Sequence, residues 1–99
     1  MSHSKTSLKT EEGSRYITRL CKHWSHKLEL TYDENSVDIR FGEGKSARLD
    51  ATPTELRIKI SADESELATL EDVVARHLKR FAHKETLTFS WEPATDRAS

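Results

Sequence analysis

The stretch VDIRFGEGKSARLDATPTELRIKI, residues 37–60, decides the fold because apolar and polar side chains alternate along it. In LRIKI (56–60), every second residue is apolar, and the two residues between them are Arg57 and Lys59. The turn sequences GEG and TPT divide the stretch into three short strands. Alternation with a period of two is typical of antiparallel strands with one buried face and one solvated face. The stretch therefore predicts the centre of an antiparallel sheet.

Further strands are predicted on both sides of this centre. LELTY (28–32) and TLTFSW (86–91) show the same alternation, whereas SKTSLKT (4–10) is polar and predicts only an edge strand. We expect the apolar residues of the first two segments to face the core: Leu28, Leu30 and Tyr32, then Leu87, Phe89 and Trp91. The last strand is expected to end at Pro93, and the residues that follow are expected to be poorly ordered.

Two amphipathic helices are predicted to flank the central strands. The first begins at Glu11 or Glu12, with Thr10 as its cap, and ends at His26. Its apolar face follows i, i+3, i+7 spacing: Ile17, Leu20 and Trp24. The second begins at Asp63 and ends near residue 82. Its apolar face is longer: Leu67, Leu70, Val73, Val74, His77, Leu78 and Phe81.

The order of these elements is (β)-α-β-β-β-β-α-β. One-sided strands and one-sided helices must cover each other, so we predict an α+β fold, a two-layer sandwich with both helices on one face of an antiparallel sheet. The 99 residues are expected to form a single domain (1–99), with an ordered core over about 6–92 and a loose tail over 93–99.

Composition excludes several classes of function. Sixteen basic and seventeen acidic residues nearly cancel, so no basic field attracts nucleic acid. No apolar run reaches the roughly 20 residues of a membrane span, and the first residues contain no apolar signal segment, so a cytoplasmic protein is expected. Cys21 is the only cysteine, which excludes an internal disulfide and a multi-cysteine zinc site.

LCKHWSHK, residues 20–27, has the highest density in the chain of side chains that can bind a metal ion or react: a thiol, two imidazoles, an indole, a hydroxyl and two amines. At about 100° per residue, Cys21 and His23 lie on opposite flanks of the helix's apolar stripe, and His23 and His26 share one flank. Trp24 lies within the stripe and is expected in the core. The cluster is therefore not a single four-ligand site.

His77 is a polar residue in the apolar stripe of the second helix, and we expect it to be largely buried beside the first helix. It is either a core histidine bonded to a neighbouring polar group or part of a site. If the His23 and His26 flank faces it, His23 and His77 could bind Fe, Zn, Cu or Ni, with His26 or a water completing the set. If the Cys21 flank faces it, Cys21 and His77 could form a reactive thiolate pair.

SRYITRLCKHWSHK, LEDVVARHLKRFA and ETLTFSW resemble a bacterial family of small proteins known as domain of unknown function 2218 (DUF2218). The resemblance spans about residues 6–91. Members usually carry an aromatic residue and an arginine where this chain has His83 and Lys84, so a shared role for those two is not expected. The resemblance implies no established activity. Related domains occur fused to flavin-dependent siderophore-interacting proteins, which implies a link with iron metabolism.

Three hypotheses follow from these observations. The first is a non-catalytic metal- or iron-associated binding or accessory protein that uses His23, His26 and His77, with Cys21 as an outside choice. The second is a protein–protein interaction module or homodimer that acts with a flavin-dependent siderophore reductase. The third, a thiol enzyme, depends on Cys21 and His77 alone and lacks an oxyanion motif.

Overall fold

A computed structural model describes residues 2–82 and 85–94 of the protein. Its helices and strands follow one another as β1 (Ser2–Lys9), α1 (Gly13–Trp24), β2 (Glu29–Asp33), β3 (Ser36–Gly42), β4 (Lys45–Ala51), β5 (Glu55–Ala62), α2 (Glu64–Phe81) and β6 (Glu92–Ala94). The predicted α+β class and the predicted element order are confirmed.

All strands pair antiparallel in one sheet of order β2-β3-β4-β5-β1-β6. Directly paired residues share a face, and the row through Val37, Leu49, Ile58 and Thr6 is buried. The row beside it, on the other face, is polar and begins at Asp38. The predicted alternation is therefore confirmed at the centre of the sheet.

One core cluster joins the apolar face of the sheet to buried residues of both helices. Leu20 of α1 and Leu78 of α2 are fully buried, as are Leu49 and Ile60 of the sheet. Neither helix in the described part of the chain has the length and apolar content needed to cross a lipid bilayer. The cluster supplies the burial that stabilises a domain of this size.

The prediction that β2 turns an apolar face to the core was wrong for Tyr32, which is 67% exposed. Helix α1 packs against β3, β4 and β5, whereas β2 is the last strand at this edge of the sheet. The inward face of an edge strand is buried only if a helix reaches that far. Leu28 and Leu30, which precede Tyr32, are half-buried.

Both ends of the chain differ from the prediction. β1 begins at Ser2 and is an interior strand between β5 and β6, not an edge strand. Segment 86–91, predicted as the last strand, has no strand pairing in the described structure, although Leu87 in it is buried. Strand β6 instead includes Pro93 and Ala94, so regular pairing continues beyond the residue at which the poorly ordered tail was predicted to begin. The remaining predicted tail, 95–99, lies outside the described residues.

The helix ends also shift by small amounts. Helix α1 begins at Gly13, and its side-chain cap is missing; Thr10 Oγ1 instead accepts a hydrogen bond from the Glu12 backbone N–H before the helix. A Cβ atom at Gly13 would lie 3.0 Å from Ala51 Cβ, so glycine permits the close approach of α1 to the sheet. Helix α2 begins after Asp63, as predicted.

Candidate functional site

His77 lies on the side of α2 that faces α1. Its Nδ1 atom is 2.7 Å from the Val73 carbonyl oxygen, one helical turn earlier. A carbonyl oxygen only accepts hydrogen bonds, so Nδ1 carries the proton and donates it. In neutral His77, Nε2 then carries a free lone pair. A histidine that binds a metal ion through Nε2 needs this tautomer.

The His77 ring packs against two aromatic rings at the end of α1. The centroid of the His77 ring lies 5.0 Å from that of His23 and 4.8 Å from that of Trp24. The plane of the His77 ring is inclined by more than 50° to each of these two ring planes. We call His23 and His77 the imidazole pair. The prediction that His77 lies beside the first helix is confirmed, whereas the expected burial was too great, because His77 is only half-buried.

Aromatic residues hold the imidazole pair in place. Trp24 is only 6% exposed and packs edge-on against Phe41 of β3 at 5.1 Å between ring centroids. Phe81 packs edge-on against His23 at 6.4 Å. His23 is exposed and His77 is half-buried, so the pair can be reached from solvent. The pair thus combines an apolar floor with access from outside.

The structure brings together two of the four predicted ligands. His26 lies in the turn after α1, is exposed, and makes no ring contact with the imidazole pair in the described structure. Cys21 is half-buried against the core, and this burial raises the pKa of its thiol. A nucleophilic cysteine needs a lowered pKa, so the thiol-enzyme hypothesis loses its support. Among the described residues, no three histidine, cysteine or acidic side chains are arranged to hold a metal ion.

A polar cluster that the sequence did not reveal lies at the other end of α1. The hydroxyls of Tyr16 and Thr10 both donate to Glu85 Oε2, the latter over 2.7 Å. Burial, together with the hydrogen bond to Glu85 and the charge of that carboxylate, raises the pKa of Tyr16 to about 12. We call these three residues the Glu85 latch, because they join the segment after α2 to α1 and to the end of β1.

The solvated face of the sheet has uneven charge. Arg48 of β4 forms ion pairs with Asp38 and Asp50, at 2.5 and 3.1 Å. Lys5 and Lys59, in contrast, lie directly opposite each other on β1 and β5. Neither lysine forms an ion pair with a carboxylate in the described part of the chain. Like charges in opposite positions are unfavourable, although Glu92, which lies directly opposite Lys5 on β6, offsets part of this repulsion.

Comparisons with known proteins identify relatives of this chain. A family model described as an uncharacterized protein conserved in bacteria (DUF2218) matches residues 5–92. The NMR structure of PA4090 from Pseudomonas aeruginosa is similar, with 38% sequence identity and a TM-score of 0.81. The match covers 97% of this chain and 100% of that chain. No match is found among curated proteins.

Proposed function

This chain belongs to the bacterial DUF2218 family, and from that premise we propose that it is a non-catalytic binding domain that holds a transition-metal ion between His23 and His77. The observation that carries the proposal is the imidazole pair, with 5.0 Å between its ring centroids. The proposed role is accessory metal handling, in keeping with the iron link that the family resemblance implies.

The spacing of the imidazole pair fits a shared metal ion. An ion that binds two imidazole nitrogens at about 2.0–2.1 Å with a near-tetrahedral angle sets the two ring centroids roughly 5 Å apart. The observed separation between the centroids has this value before any ion is added. The two rings therefore need not move apart or together to share an ion.

The hydrogen bond from His77 Nδ1 to Val73 supports the proposal further. Histidine ligands commonly donate their second ring N–H to a carbonyl or carboxylate, which fixes the ring and its tautomer. His77 has this partner at 2.7 Å. Imidazole ligands suit Zn, Cu, Ni and Fe ions. With two protein ligands, water or a partner molecule fills the other positions, so we expect an exchangeable ion rather than a structural one.

Calorimetric titration with Zn²⁺ and Ni²⁺ tests the proposal. We expect one site per chain in the wild type, weakened at least tenfold in His77→Ala and in His23→Ala. His26→Ala is the matched control, because it removes an exposed imidazole three residues from His23 and should bind as the wild type does. Circular dichroism would verify that each variant is folded. Equal uptake by the wild type and His77→Ala would refute the metal site.

A second candidate function, protein–protein interaction, rests on the lysine pair of the solvated sheet face. Lys5 and Lys59 form no close ion pair in the described structure, although Glu92 lies directly opposite Lys5 on β6 and Asp50 lies in the same groove. An acidic surface on a partner would offset the repulsion between the two ammonium groups. The family's fused relatives make a flavin-dependent siderophore-interacting protein the proposed partner; a homodimer is the alternative.

Co-purification with such a reductase tests this second candidate. Lys5→Glu and Lys59→Glu should each abolish the complex, whereas Lys22→Glu, an exposed charge reversal on α1, should retain it. Light scattering on the isolated protein tests the homodimer. A monomeric mass together with failure to co-purify would exclude both forms of the interaction.

A further inference from the structure

Strand β2 forms one edge of the sheet, and its outer side is open. Within the described part of the chain β2 pairs with β3 alone, and four of its five residues are exposed. Proteins usually block such an edge with proline, a bulge or an inward-pointing charge, because an open edge pairs readily with another strand. β2 contains no proline, its register with β3 is regular, and its inward positions are Leu30 and Tyr32. None of the usual devices therefore blocks this edge.

The hairpin geometry shows which backbone groups are free at the edge. Asp33 and Ser36 close the β2–β3 hairpin, and two residues separate them. The closing pair of so short a loop exchanges hydrogen bonds, and the direction of the backbone groups alternates along a strand. The N–H and C=O groups of Thr31 therefore point to β3. Those of Leu30 and Tyr32 point away from the sheet and can bond to a further strand.

The core-side face of the sheet continues, uncovered, to this edge. Tyr32 is 67% exposed, and among the described residues it is the one large apolar side chain with such exposure. Its partner on β3, Val37, is fully buried, so both side chains lie on the core side of the sheet. Leu28 and Leu30 on the same side are half-buried. A further strand at this edge would extend the apolar face on which Tyr32 lies.

We propose that the strand added at this edge is β2 of a second copy of the chain, antiparallel, with Leu30 opposite the partner's Leu30. In this register Leu28 lies opposite the partner's Tyr32, and Lys27 lies opposite the partner's Asp33. Two-fold symmetry makes each of these contacts twice. Lys27 and Asp33 form no ion pair within the described residues, so both charges are available to the partner. We call this arrangement the charge-matched register.

The neighbouring registers lack this match. A register centred on Thr31 sets Glu29 against the partner's Asp33 twice, and like charges directly opposite each other are unfavourable. A register centred on Tyr32 sets an apolar position of β2 against the partner's Glu34. The charge-matched register instead places apolar side chains opposite apolar ones and a cation opposite a carboxylate. It leaves the imidazole pair and the lysine pair outside the interface, so it is independent of both proposed functions.

Hydrogen exchange followed by NMR tests the edge pairing in the wild-type protein. As the protein concentration rises, the amides of Leu30 and Tyr32 should exchange about tenfold more slowly, because each donates a hydrogen bond to the partner strand in the dimer. The Thr31 amide is the internal control, since it bonds to β3 in the monomer as well. Light scattering should show the mass rise from one chain to two over the same range. A monomeric mass at every concentration, or unchanged exchange at Leu30, would overturn the proposal.

Charge reversal tests the register. Asp33→Lys and Lys27→Asp should each weaken dimerisation about tenfold, because each places like charges opposite one another at two positions. The double variant should recover the wild-type affinity, because the swap restores both ion pairs. Lys59→Glu is the matched control, a charge reversal on β5 that should leave dimerisation unchanged. A double variant that is folded by circular dichroism but stays monomeric, or an equal loss in Lys59→Glu, would overturn the proposal.

Discussion

Replacement of Tyr16 by phenylalanine should destabilise the protein by removing one bond of the Glu85 latch. The Tyr16 hydroxyl donates to Glu85 Oε2, and the Tyr16 residue is only 4% exposed. A hydrogen bond to a charged group contributes roughly 1.5–3 kcal/mol to stability. We therefore expect Tyr16→Phe to lower the free energy of unfolding at pH 7 by about 2 kcal/mol.

The pH dependence of stability measures the burial of the Tyr16 phenol together with its bond to Glu85. Folding raises the pKa of Tyr16 from 10.0 to about 12, so between these pH values the native state binds more protons than the unfolded state does. The stability that comes from this group is complete below pH 10 and declines as the pH rises towards 12. Burial of the phenol is the largest cause of this rise, and the hydrogen bond to Glu85 and the charge of that carboxylate add to it. The difference between wild type and Tyr16→Phe should therefore shrink above pH 10.

Urea unfolding followed by tryptophan fluorescence measures both effects. Tyr32→Phe is the matched control, because the Tyr32 side chain is mostly exposed and its loss should change stability by less than about 0.5 kcal/mol. If Tyr16→Phe were as stable as Tyr32→Phe at pH 7, or if the stability difference stayed constant from pH 9 to 11.5, the reasoning on the latch would be refuted.

Three further predictions concern the core and the thiol. Gly13→Ala should lower the free energy of unfolding by about 1–2 kcal/mol despite the better helix propensity of alanine, since its Cβ would press on Ala51; a more stable variant would contradict this. Leu49→Ala, at a fully buried position, should cost about 2–5 kcal/mol in urea unfolding, and a cost below 1 kcal/mol would show a loosely packed sheet face. Cys21 should react with iodoacetamide at pH 7.5 more slowly in the native protein than in urea, because burial raises the pKa of its thiol. Faster labelling of the native protein would contradict this and would support the thiol-enzyme hypothesis.

The alternation of residues 37–60 was sufficient to predict the centre of the sheet. Each side chain there has its face fixed by its own position in an extended strand, so local pattern and tertiary burial agree. Tyr32 follows the same alternation, but its burial depends on how far α1 reaches across the sheet. That distance is a tertiary property, and no local pattern contains it.

The candidate site was predictable only in part, for a similar reason. A polar residue in an apolar stripe indicated that His77 lies near α1, and the helical angle placed His23 on a flank of that helix. His26 was assigned to the same flank, but α1 ends at Trp24, so the angle of 100° per residue no longer applies to it. The Glu85 latch joins residues 69 and 75 positions apart, a separation at which periodicity gives no signal.

NMR of the imidazole nitrogens during a Zn²⁺ titration tests the metal site most directly. In the free protein, His77 should show a protonated Nδ1, as its bond to the Val73 carbonyl requires. With Zn²⁺, the account predicts that His77 Nε2 and one ring nitrogen of His23 shift together in a saturable manner, while His26 keeps its free signals. Shifts at His26 equal to those at His77, or no change at His77 at a metal concentration that saturates binding, would contradict it.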